Sequence, residues 1–477
     1  MAKSIKRNYI YNLSYQILLM ITPLLTMPYL SRILGPDGIG KVSFANSVVA
    51  YFSLFAVFGT TLYGQRQISY VQDDKTQRTL VFWEIKVFEI ASSLIVLTIY
   101  LLFVFSHSDK LLYLVLAFNI AAITVDITWF FQGMEEFGKI VFRNFVLKTL
   151  NIAFIFTFIT SHEDFVLYAF GLAFFAFIGN ASLWFCLPGY VGKPDFKSIK
   201  VFQNLKIILS LFIPTIAIQI YTVLDKTMIG LITKDVFENG YYEQSITVSR
   251  MVLTLVTSLG AVMIPRIGYH FGKGEMEMVQ TYMYKGFQFV WFLGIPLCFG
   301  VIGIAPNFVP WFFGPNFLKV IPLLSILSFL ILAIGINNVT GMQYLIPTGR
   351  QNTFTLTVLA GAGINFLLNC WFIYYYKSIG AAIASVIAET VVALVQLYIV
   401  RKELSVSSIF FSCRHYLFSG SVMFLLLQYM GRMLTPSIIH TSCMIICGAV
   451  TYAACLLIIK DDFLMENSTN LLGIIKK

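Results

Sequence analysis

Apolar stretches of about the 20 residues that a helix needs to cross a bilayer core recur along the whole chain, and short polar segments between them carry most of the charge. Marking them predicts fourteen transmembrane helices, at 9–34, 42–65, 81–106, 111–132, 142–161, 165–187, 206–231, 243–265, 285–305, 318–346, 354–376, 379–400, 415–434 and 438–459. The predicted fold class is therefore an all-α polytopic membrane protein. Composition agrees: 58% of the 477 residues are apolar and 12% are charged, against about 25% charged in a soluble protein. The same figures exclude a disordered chain, a fibre and a disulfide-stapled secreted domain.

Lys and Arg resist translocation, so their distribution orients the helices. With the N-terminus inside, twenty-two of the 33 fall in cytoplasmic segments, seven in outer segments and four within spans. One helix more or fewer would invert every later loop and mix the two sets. The asymmetry thus supports the span count and a multi-pass protein of the cytoplasmic membrane with both termini inside. The net charge of +10 follows from this topology and from contact with anionic lipid heads, and needs no nucleic-acid partner. The start, with Lys3, Lys6 and Arg7 ahead of a long run containing Pro23 and Pro28, reads as a first transmembrane helix with a basic anchor and without a cleavage site.

The longest loop, 188–205, carries Pro188, Gly189, Gly192, Pro194 and three lysines, with Lys206 directly after it. It divides the chain into an N-terminal six-helix bundle (1–187), a cytoplasmic linker (188–205), a C-terminal six-helix bundle (206–400), and helices 13 and 14 with a cytoplasmic tail (401–477). Six helices per half leave both bundles in the same orientation, so a repeat would turn about an axis along the membrane normal, a known transporter arrangement. Weak self-similarity fits: adding 200 carries Gly40 to Gly240 and Arg66 to Arg266, and adding 214 carries Asn151 to Asn365.

A charge inside a span is costly and points to function by default. Toward the outer half lie Arg32, Asp225, Lys226 and Arg250; helices 1 and 7 open the two bundles, so these charges could meet across a central cleft. Arg250 keeps its charge at physiological pH, and its fork suits phosphate oxygens. Toward the cytoplasmic half lie Glu84, Lys86, Glu89, Asp126 and Lys148. Asp126 and Lys148 sit at matching depths and read either as a buried ion pair or as substrate contacts, while Lys86 and Glu89 are expected to snorkel to the interface. Glu389, near the midplane of helix 12, is either an ion-coupling carboxylate or a neutral acid hydrogen-bonded to a helix carbonyl. Pro28 and Pro214 bend the first helix of each bundle and are the candidate hinges. Asn337-Asn338 predicts a polar interruption in helix 10.

Gly35-Pro36-Asp37-Gly38-Ile39-Gly40-Lys41 matches GxxxxGK but lacks the preceding strand and the following Ser or Thr of a phosphate loop. Energy would then come from a proton or sodium gradient or from the substrate's own gradient, with no cofactor. The seven Cys and five His show no metal-ligand spacing.

The segment Pro28-Tyr29-Leu30-Ser31-Arg32-Ile33-Leu34-Gly35, with Gly38, Gly40, Phe58-Gly59, Gly64 and Arg66, resembles the N-terminal pattern of bacterial polysaccharide transporter flippases. Asp126-Ile127-Thr128-Trp129-Phe130-Phe131-Gln132-Gly133 with Glu135 resembles their second motif, and Pro347-Thr348-Gly349-Arg350 a later turn. The resemblance implies a Wzx-like member of the multidrug, oligosaccharidyl-lipid and polysaccharide exporter superfamily, a transporter rather than an enzyme. Its cargo would be undecaprenyl-pyrophosphate-linked oligosaccharide, with a polysaccharide polymerase and chain-length proteins as partners. Such a cargo needs a hydrated cationic cavity, for which Arg32, Arg250, Lys226, Arg66 and Arg266 are the candidates, and Asp225 would pair with Arg250 or Lys226 when the cavity is empty. A cation-coupled drug exporter of the same superfamily would favour acids over these cations. A membrane polymerase or glycosyltransferase would need a long outer loop with paired carboxylates.

Overall fold

The computed structural model describes residues 5–194 and 199–465. Regular structure in them is helical, and one isolated bridge, Pro188 to Val191, is the extended pairing among the described residues. Ten helices are long and apolar enough to cross a membrane, or eleven with the bent pair Val236–Thr257 and Val262–Gly272 taken as one span. The chain is a multi-pass membrane protein. Two of the ten, Ile21–Tyr70 and Gln351–Val400, are 50 residues long; an unbroken helix of that length would measure about 75 Å, more than twice a hydrocarbon core.

Both long rods break where the predicted spans change. Gly35 has φ 67° and ψ 176°, a conformation open to glycine, and Pro36 begins the next helix at the position where a missing N–H costs nothing. The GxxxxGK match is therefore the junction of two helices. In the second rod the break is at Lys377, φ 52° and ψ −129°, a strained backbone for a side chain with Cβ. Lys377 is held there by Nζ to Asp235 Oδ2 at 2.9 Å, and its neighbour Ser378 donates through N (3.2 Å) and Oγ (2.5 Å) to Glu238.

The chain forms two compact units, one up to Gly230 and one from Leu231. The division falls inside the helix Leu205–Thr233 rather than in the 188–205 segment. Side-chain contact explains why: Thr227 Oγ1 bonds Ser47 Oγ at 2.9 Å, and Gly230 lets the Phe44 ring approach to where a Cβ would sit only 2.2 Å away. Part of the expected linker is also sewn to the first unit. Tyr190 O accepts from Arg78 Nε (3.0 Å) and Nη2 (2.9 Å), Gly192 O from Trp83 Nε1 (3.0 Å), and Gly192 N donates to Thr79 Oγ1 (2.9 Å).

In the first unit one aromatic core gathers Phe82, Trp129, Phe130 and Phe131, and a second core gathers Tyr100, Leu116 and Ile120. The second unit is built on Met276–Phe312, whose Met283, Phe287 and Trp291 pack with Tyr344, Tyr416 and Met444. Helices Arg414–Met433 and Ile438–Ile459 belong to this unit: Tyr452 Oη donates to Phe292 O at 2.8 Å, and Asn307 Nδ2 to Leu434 O at 3.1 Å.

Each unit repeats one device. In the first, a helix ends at Val57 and resumes at Thr60, with Phe58 at φ 47° and Gly59 at φ 80° between them. In the second, 200 residues on, Val236–Thr257 gives way to Gly260–Gly272. The interruption expected at Asn337-Asn338 is present as well: the α-helix Phe329–Asn337 passes into a π-helix, Asn338–Leu345.

Candidate functional site

Among the described residues the most deeply buried charges are Lys86 and Glu89, at 0% and 1% exposure and 2.7 Å apart. The snorkelling expected for them does not occur. Lys86 Nζ also donates to Asp126 O at 2.7 Å, in the gap between Lys110–Thr124 and Thr128–Gly133, and Glu89 accepts from Thr60 Oγ1 at 3.3 Å, at the start of Thr60–Tyr70. One ion pair thus ties together two helix breaks, whose unpaired backbone groups need partners in a membrane. The spacing was a readable signal: opposite charges three residues apart share a helix face and can neutralise each other inside a span.

Asp126 and Lys148 are not joined to each other among the described residues. The Asp126 carboxylate caps its own turn, accepting from Thr128 N at 2.8 Å, while Lys148 lies half-buried in a groove with Arg143 and Asn151. The motif containing Asp126 is largely a packing device. Trp129 covers Gly64, where a Cβ would come within 2.5 Å of the indole, and Gly133 meets Ile68 and Gln65 O at 2.8 Å in the same sense.

Arg32 and Arg66 are exposed on the first unit, and Arg250 and Arg266 on the second. Arg32 Nη1 donates to Pro28 O at 3.1 Å. Arg66 lines a hollow of about 350 Å³ with Gln65, Ser69, Gln132 and Glu135. Asp225 and Lys226 are half-buried near the end of Leu205–Thr233, the helix that also contains Pro214, whose side chain lies outside the described set. Pro28 lies within the first rod, on which Arg32 also sits.

In the second unit Glu389 is half-buried and accepts from Asn337 Nδ2 at 2.5 Å, at the last α-helical residue before the π-helix. Neutral groups carry the interior of this unit: Thr340 Oγ1 donates to Gln396 Oε1 (2.7 Å), Gln396 Nε2 to Thr357 Oγ1 (3.0 Å), and Asn365 Nδ2 to Ser385 Oγ (3.3 Å). Charge is concentrated at the ends. Glu238, 3% exposed, takes Lys319 Nζ at 2.6 Å. Arg350 grips Glu403 with both Nη atoms at 2.8 Å, and Tyr344 Oη donates to the same carboxylate. The Arg350 fork holds the Glu403 carboxyl below its usual range. Sequence reading missed the Glu238 and Glu403 clusters because their partners are 53 to 140 residues away.

The polysaccharide biosynthesis protein family model matches residues 5–270. The chain belongs to that family. A relative in Escherichia coli (strain K12), described as "Putative O-antigen transporter", is 25% identical over 417 residues, covering 84% of this chain and 97% of the relative. Among solved structures, the lipid II flippase MurJ in an inward closed conformation superposes with a TM-score of 0.73 at 16% identity, over 96% of this chain and 99% of MurJ. An inward-facing multidrug resistance MATE transporter of the MOP superfamily gives 0.64 at 14% identity, over 84% and 98%. The fold of this family member is thus shared with flippases and drug exporters alike, and the described relative is a transporter rather than an enzyme.

Proposed function

We propose that this chain is a flippase that carries an undecaprenyl-pyrophosphate-linked oligosaccharide from the inner to the outer leaflet of the cytoplasmic membrane by alternating access, for surface polysaccharide synthesis. The observation that carries the reading is the near full-length match to an O-antigen transporter, joined to exposed arginines on both units of an exporter fold. A diphosphate crossing a bilayer needs charge compensation in place of water; Arg32, Arg66, Lys226, Arg250 and Arg266 supply it in turn, while the polyprenyl tail stays in lipid. Asp225 is the counter-charge when no cargo is bound.

We read the two 50-residue rods as two spans each, the bent pair Val236–Thr257 and Val262–Gly272 as one, and Leu205–Thr233 as a further span, which restores fourteen crossings with both ends inside. Pro28 and Pro214 are the hinges, and Glu389 couples transport to a proton or sodium gradient. A drug exporter is the alternative that the fold alone leaves open; the cationic set favours an anionic cargo. Partner polymerase and chain-length proteins would receive the product.

The test is surface polysaccharide in a strain lacking its own transporter, complemented with the wild type, Arg32→Ala or Arg250→Ala. Loss of export with normal membrane insertion is expected. Unchanged polysaccharide in both variants removes the cationic-cavity mechanism.

A further inference from the structure

We propose that a groove inside the first unit, on the helix Phe137–Phe158, is a binding site for a phosphate group, carried by a membrane lipid or presented as the free anion. It is separate from the cations invoked above and does not depend on the flippase reading. The helix carries Asn144, Lys148 and Asn151 at i, i+4 and i+7, a polar stripe on one face of a membrane-crossing helix. The stripe climbs about 10 Å, and Lys148 lies about 16 Å along the helix from Phe137 at 1.5 Å per residue. It therefore starts about 10 Å inside the helix and crosses its middle, well within the depth of a hydrocarbon core about 30 Å thick. A polar ladder at that depth is costly unless something polar uses it.

The groove holds about 260 Å³ and is also lined by Arg143 and, from the neighbouring helix, Asn180. Neutral oxygens orient Arg143: Thr128 Oγ1 at 3.3 Å, Asn180 Oδ1 at 3.2 Å, and Asn144 Oδ1 at 3.0 Å from Nε and 2.7 Å from Nη2. Asn180 is itself anchored through Nδ2 to Ala122 O at 2.9 Å. Among the described residues Lys148 has no hydrogen-bond or ion-pair partner, so its ammonium is available to a ligand. An oriented guanidinium, a lysine one turn deeper and flanking amides suit a phosphate mono- or diester. The ligand's source is a bilayer phospholipid, a polyprenyl phosphate or free phosphate, all of which present that anion.

The experiment titrates the purified full-length protein with three probes, phosphatidylglycerol and undecaprenyl phosphate read by native mass spectrometry and inorganic phosphate read by calorimetry, alongside Lys148→Met, Lys148→Arg and Asn151→Leu. The wild type is expected to bind at least one probe, Lys148→Met to weaken that binding about tenfold or more, and Lys148→Arg to restore most of it. The thermal midpoint of Lys148→Met should match the wild type, because Lys148 holds no internal bond. The probe that binds most tightly identifies the source. No binding of any probe, or equal binding by the wild type, Lys148→Met and Asn151→Leu, overturns the proposal.

Discussion

In the first unit the break after Val57 is backed by charge: Glu89 reaches Thr60, and Lys86 reaches the backbone at Asp126, both in a fully buried pair. In the second unit, 200 residues on, the break before Gly260 is backed by amides. Asn338 Oδ1 lies 2.9 Å from where a Gly260 Cβ would sit, Gln343 donates to Asn338 at 2.9 Å, and Gly286 stands at the number matching Lys86. The first arrangement gives broken backbone a charged partner directly, at Asp126 O, and the second sets a bonded amide pair against the break. They differ in sensitivity, because an ion pair that loses one member strands a bare charge, whereas an amide network that loses one member strands a dipole.

The largest effect should therefore come from the first unit. Lys86→Met is expected to cost about 3–5 kcal/mol by leaving Glu89 buried and unpaired, seen as a large fall in thermal midpoint in detergent. Lys86→Met with Glu89→Leu should recover most of it. If the double variant is as unstable as the single one, the ion pair is not what sets the difference between the units.

Gln396→Leu in the second unit should cost less, about 0.5–1.5 kcal/mol, by removing its bonds to Thr340 and Thr357, whose hydroxyls keep the carbonyls of Ile336 and Phe354 as partners. A loss matching that of Lys86→Met would erase the contrast.

Glycine packing sharpens it further. Gly64→Ala drives a methyl to within 2.5 Å of Trp129 and should cost about 1–3 kcal/mol. Gly268→Ala meets only Pro347 at 3.7 Å and should be neutral or slightly stabilising through helix propensity. Paired unfolding curves of the two variants check this.

The smallest effect lies at the end of the second unit, where Arg350 grips Glu403. Because the folded Glu403 pKa is depressed, its contribution is full above the ordinary carboxylate value near about 4.3 and is lost as pH falls through the lower folded value. A partly exposed pair contributes on the order of 0.2–1 kcal/mol. Glu403→Gln should be slightly less stable than the wild type at pH 7, with the gap closing as the pH is lowered past 4; a constant gap would assign the effect to packing.

Much of this architecture could be read from residues alone. Runs of apolar residues mark membrane-crossing helices because hydrocarbon excludes unpaired backbone polarity, and the breaks at Gly35 and Lys377 fall where two runs meet. The likeness carried by Trp129 and Gly64 was legible too, and its physical content is close packing between helices. Pairing was not legible. Lys86 was expected to reach for the interface and instead lies at 0% exposure, and Asp126 caps a turn while Lys148 faces a groove. Glu238 finds Lys319 and Ser378, 81 and 140 residues away. Burial cost acts on each residue locally, so a sequence reveals where a charge is out of place. Which partner neutralises it depends on helix rotation and on which helices pack together, and those are settled by contacts far apart along the chain.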